Sequence, residues 1–160
     1  MVALYEPVTV SDVDTIAKWL LSKDSMTPKK LQKMLYYCYS WTLALLNENA
    51  DNIEVRLFEE KFEAWVHGPV VRNVYYKHRE NGYNPIPMID EEVIIDNPEV
   101  LDILEQVYDV YGGYNGNELE SISHQETPWI NAREGLQPYE ATEREISDRD
   151  IFEYYNSLED

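Results

Sequence analysis

The stretch from Thr27 to Leu46 limits the possible folds more than any other. Thr27 can cap a helix, and Pro28 suits the first helical position, where its missing N–H costs nothing. Lys30 stands where a capping box would need Glu or Gln, so the cap is single-sided. Leu31, Met34, Leu35, Cys38, Thr42, Leu45 and Leu46 form one stripe. Tyr36, Tyr37, Tyr39 and Trp41 carry apolar area around the remaining faces. A helix apolar on nearly all sides is central and buried. The pattern therefore predicts a helix over residues 28–46 with the rest of the chain packed around it.

The neighbouring segments supply that packing. Ser11-Asp12-Val13-Asp14 reads as a helix start, with Ser11 as cap, followed by Val13, Ile16, Ala17, Leu20 and Leu21 at helical spacing. Leu57-Phe58 and Phe62 to Val66 read as two short strands of a hairpin at 57–66. Gly68-Pro69 ends the hairpin in this reading, and Pro69 opens a third helix running to before Gly82. Residues 83–98 hold three prolines and read as a loop with a short edge strand at 93–95. Asn97-Pro98-Glu99 starts a helix that Gly112-Gly113 stops. Short helices follow at 118–123 and 129–133, and Ser147 caps a last one. The expectation is a mainly α fold: one domain over 1–160, a compact bundle of six or seven helices around the central helix, with one small hairpin.

Charge narrows the partners. Of 160 residues, 13 are Lys or Arg and 31 are Asp or Glu, a formal charge of −18. The first 46 residues hold five lysines and four acids; the rest hold eight basic residues against twenty-seven acids. Such a surface repels phosphate backbones and favours basic partners, which argues against nucleic acid. Lys23, Lys29, Lys30 and Lys33 form a local basic cluster at the start of the central helix, too few to reverse that balance. The charge also suits an acidic nucleic-acid mimic. No stretch approaches the roughly 20 apolar residues of a membrane span. Met1 to Glu6 lacks a basic region followed by an apolar run, and the single cysteine excludes an intrachain disulfide, so the cytoplasm is expected.

No catalytic pattern emerges. His67, His78 and His124 are too far apart in sequence to suggest a shared metal site. There is no nucleophile elbow, and Gly112-Gly113-Tyr114-Asn115-Gly116 follows a helix and lacks the lysine of a phosphate loop. Cys38 reads as a small apolar residue on a helix stripe. The expectation is a chain that is not an enzyme, with no cofactor and no metal.

Three blocks carry a family resemblance. The first is Thr27-Pro28-Lys29-Lys30-Leu31-Gln32-Lys33-Met34-Leu35-Tyr36-Tyr37, continuing to Trp41. The second runs from Phe58 through Phe62-Glu63-Ala64-Trp65-Val66-His67-Gly68-Pro69-Val70-Val71 to Tyr75. The third is Leu119 to His124, then Gln125-Glu126-Thr127-Pro128-Trp129. In this order they resemble the Panacea domain family, also known as SocA-like or phage-associated GepA-like. Met34 stands for a leucine, Cys38-Tyr39-Ser40 departs from the usual stretch before Trp41, and Asn73 stands where proline is common.

The resemblance implies a helical fold and the antitoxin of a type II-like toxin–antitoxin pair. Such a protein neutralises a toxin protein by direct protein–protein binding; phage-borne members exist. It also admits a proteolytic adaptor that delivers the toxin to a protease. The pattern falls on Leu31, Gln32, Lys33, Leu35, Tyr36, Tyr37, Trp41, Phe58, Trp65, Gly68, Pro69, Val70, Tyr75, His124, Pro128 and Trp129, and these read as structural frame. Partner contact is then expected on less patterned surface: Tyr83, Asp90, Glu91 and Glu92 in the 83–96 loop, and Glu143, Glu145 and Asp148 near the C-terminus.

Overall fold

The computed structural model describes residues 6–159. Among these, seven α-helices form the body: α1 (Val13–Lys23), α2 (Pro28–Leu46), α3 (Arg72–His78), α4 (Pro98–Tyr111), α5 (Gly116–Ser123), α6 (Thr127–Ala132) and α7 (Asp148–Leu158). Two small sheets accompany them. β1 (Val8–Thr9) pairs in parallel with β2 (Val55–Arg56), and β3 (Glu63–Trp65) pairs antiparallel with β4 (Gly68–Val70). The fold is mainly α with a small hairpin, as the periodicity predicts. No helix among the described residues is long and apolar enough to cross a membrane.

α2 is the axis. Leu31, Met34, Leu35, Tyr36, Tyr37 and Cys38 are all fully buried. The helix touches α1, α3, α4, α5 and α7, together with β2 and β4. Thr27 caps it by accepting from the Lys30 amide at 3.2 Å. Its C-terminal half is wrapped in aromatics. Tyr37 stacks on Tyr111 of α4 with ring centres 4.0 Å apart, and Trp41 meets Tyr155 of α7 edge-on at 5.3 Å. Trp41 also donates its indole N–H to the Tyr111 hydroxyl.

Several expected details shift. Asp12, not Ser11, caps α1, because its carboxylate reaches the Thr15 amide at 2.8 Å. Leu57 and Phe58 are fully buried but form no strand. The hairpin lies further along, with Glu63 opposite Val70 and Trp65 opposite Gly68. Gly68-Pro69 thus opens a strand rather than ending one, and the third helix begins only at Arg72. A proline is tolerated in an edge strand, whose N–H has no ladder partner to lose. A 3-10 turn over Arg79–Asn81 extends α3 toward Gly82. No strand forms at 93–95; the preceding loop is instead tied down at Ile86, which exchanges both backbone hydrogen bonds with Met26.

Candidate partner-binding groove

The hairpin is the point where the three sequence blocks meet. From α2, the Gln32 side-chain amide pairs with both backbone groups of Val71, accepting from its N–H at 2.8 Å and donating to its carbonyl at 3.1 Å. Lys33 extends its ammonium to the Pro69 carbonyl at 3.2 Å. From the third block, the Trp129 indole donates to the Trp65 carbonyl at 2.9 Å, and Arg133 donates to the Ala64 carbonyl at 2.7 Å. Each bond satisfies a backbone group that a two-stranded sheet leaves open.

Gly68 makes the Lys33 contact possible. Its φ of +106° lies in the region that favours glycine, and a Cβ there would stand 2.5 Å from Lys33 Cε. Lys33 is accordingly almost fully buried. Burial drives its amine down to about 7, opposed by nearby Glu120 and reinforced by Lys29. Glu120 itself bridges Lys29 at 2.7 Å and His67 at 3.2 Å. Burial raises that carboxyl, but its bonds to Lys29 and His67 outweigh burial and leave it below its ordinary value.

An open groove of about 1110 Å³ lies over this junction. Its floor holds Lys33, Val70 and the turn at Val66-His67. One wall is the start of α2, and the other is α3 with Tyr75 and Tyr76, continued by Arg79 of the 3-10 turn and by Tyr83 beyond it. The N-terminus of α5 and residues Ala141 to Glu143 close the ends. The aromatic wall is continuous: Trp65 meets Tyr75 edge-on at 4.8 Å, Tyr75 meets Tyr76 at 5.6 Å, and Arg79 lies over the Tyr76 ring at 5.2 Å. Tyr83 is 94% exposed.

The family-pattern residues divide between groove and core. Leu31, Gln32, Lys33, Trp65, Val70 and Tyr75 line the groove, with Gly68 and Pro69 directly beneath. Leu35, Tyr36, Tyr37, Phe58 and Pro128 are buried, and Trp41 is half-buried. His124 stacks on Trp129 at 4.0 Å and keeps its Nε2 buried without a hydrogen-bond partner; burial lowers its pKa.

The expected partner residues also divide. Tyr83 and Glu143 reach the groove, although Glu143 is already ion-paired with Arg72, which Glu63 grips as well. Asp90, Glu91 and Glu92 are exposed on the loop, away from the groove lining. Glu145 is exposed, with its backbone bridged to Glu63. Asp148 is engaged internally, accepting from the Tyr39 hydroxyl at 2.7 Å and from Lys61. Sequence reasoning treated Gln32, Lys33 and Trp65 as frame and passed over Tyr76 and Arg79. The only available signal was that α3 carries aromatic and basic side chains together.

Comparison with curated proteins and with solved structures gives no match. A family model does match, over residues 31–130, well over half of the chain; it covers the second and third blocks and the first from Leu31 onward. The chain belongs to the family described as antitoxin SocA-like, Panacea domain.

Proposed function

We propose that this chain is the antitoxin of a toxin–antitoxin pair, acts without catalysis, and neutralises a toxin protein by direct contact. Family membership supplies the antitoxin role in general terms. The observation that carries direct contact is the groove. Exposed Tyr75, Tyr76 and Tyr83 beside Arg79 match the residue types that dominate protein-binding hot spots. The chain as a whole, at −18, would steer a basic toxin toward the molecule and raise the association rate.

The test is co-expression with the product of the neighbouring gene. Growth rescue together with co-purification of the two proteins is expected. Rescue without any complex, lost in cells lacking a protease, would replace sequestration by proteolytic delivery. Absence of rescue would remove the cognate pairing.

A further inference from the structure

We propose that the groove between α2 and α3 takes an extended segment of the toxin carrying a carboxylate beside an aromatic or branched apolar side chain, with Lys33 as the counter-charge at its floor. This deepens the direct-contact reading and rests on it. The argument starts from charge. The chain has 31 acidic residues against 13 Lys and Arg, yet among the described residues four Lys and Arg line the groove and Glu143 is the one acid that does. Arg72 is held by Glu63 and Glu143, and Lys29 by Glu120. Lys33 and Arg79 remain without a carboxylate partner among the described residues.

Lys33 is the sharper of the two. An ammonium has three donors, and here one of them meets one carbonyl at 3.2 Å. A buried amine so thinly partnered is held in its charged form by any carboxylate that reaches it, and at the buried end of the side chain the attraction is less screened than on an exposed surface. The walls then specify what accompanies the carboxylate. Tyr75, Tyr76 and Tyr83 offer ring faces and edges, and Val70 and Leu31 offer apolar floor. At about 1110 Å³ the groove exceeds the usual range for a small-molecule pocket and is open along its length, which suits a peptide. A nucleic acid would bring a run of phosphates toward a molecule of −18, and among the described lining residues Lys33 and Arg79 are the lysine and arginine left to answer them.

The test is selection of a phage-displayed random peptide library on the intact chain, followed by fluorescence anisotropy with the enriched peptide. Enrichment of Asp or Glu next to Phe, Tyr, Trp, Leu or Ile is expected. Binding should weaken about tenfold or more when the peptide's acid is changed to its amide, and similarly with Lys33→Met. Arg79→Gln, at an exposed position, gives a second variant should Lys33→Met fold poorly, and a smaller loss is expected. Enrichment of basic peptides, no enrichment, or affinities indifferent to both variants would overturn the proposal. So would Lys33-dependent binding of a fluorescent oligo-dT, which would reassign the groove to nucleic acid. The co-expression assay separates the two levels. Acidic peptides selected by a chain that rescues no growth keep the groove and sink the antitoxin role. Rescue retained fully by Lys33→Met and Arg79→Gln keeps the role and sinks the groove.

Discussion

Lys33 and Glu126 both bury an ionisable group against α2, and they are partnered in opposite ways. Glu126 lies near the middle of the helix, 6% exposed, where one carboxylate oxygen accepts from the Tyr37 hydroxyl at 2.9 Å and from the Tyr155 hydroxyl at 2.7 Å. It joins α2 to α7 through the junction before α6. Burial raises its carboxyl above the ordinary value, and the two hydroxyl bonds only partly offset this. Lys33 lies a turn nearer the helix start, more deeply buried, with one carbonyl as partner and an open groove above it. A third buried charge, Arg133, meets the carbonyls of Ala64, Gln137 and Glu140. The difference separates ionisable groups that tie the fold together from one whose hydrogen-bonding capacity is left unused at a surface opening.

The largest effect should come from breaking the Glu126 arrangement. Glu126→Ala strands two tyrosine hydroxyls in a dry aromatic core, at about 1–3 kcal/mol each. A loss of about 3–5 kcal/mol in chemical denaturation is expected. Glu126→Gln keeps an acceptor for both hydroxyls and removes the buried charge, so it should cost under about 1.5 kcal/mol. Equal losses for the two variants would mean that the hydroxyl bonds do not organise this junction.

These particulars were unequally legible in the sequence. The bounds of α2 and α4 followed from Thr27-Pro28 and Asn97-Pro98, because a capping side chain and a proline at the first turn are local signals. The hairpin was displaced because Gly68-Pro69 also reads locally as a breaker. Its strand conformation depends on Gln32 and Lys33 reaching across from α2. Lys33 was read as frame, since nothing in a lysine's neighbours along the chain reports its burial. The space it occupies exists because residue 68, far along the chain, has no side chain. The groove was missed for the same reason: its walls come from four separate segments, and only Tyr83 and Glu143 among the expected contact residues reach it.

Gly68 offers a way to sharpen the comparison from the Lys33 side. Gly68→Ala combines a positive φ that alanine adopts poorly with a Cβ in the path of Lys33 Cε, so a loss of about 3 kcal/mol is expected. Part of that loss belongs to Lys33. Combining Gly68→Ala with Lys33→Ala should recover the steric share and leave the backbone share, giving a coupling of about 1 kcal/mol or more in a double-mutant cycle. Strict additivity would show that the lysine moves aside freely and that Gly68 is required for its φ alone.

The pH dependence of stability gives a smaller effect that tests Lys33 directly. Its amine titrates at about 7 in the folded chain, against an ordinary value of 10.5. Between those values the unfolded chain holds a proton that the folded chain lacks, so stability rises with pH across this window. Below about 7 both states are protonated, the buried charge exerts its full penalty, and this group contributes no slope. Groups that do not feel Lys33 cancel in the difference between wild type and Lys33→Met, which is therefore the informative quantity; His124, whose pKa Lys33 helps to lower, adds a contribution at lower pH. That difference should move in favour of wild type by about 2 kcal/mol between pH 7 and 8.5. A flat difference across the whole range would mean that Lys33 keeps its charge inside the fold. It would then need a closer partner than the Pro69 carbonyl, and the contrast with Glu126 would disappear.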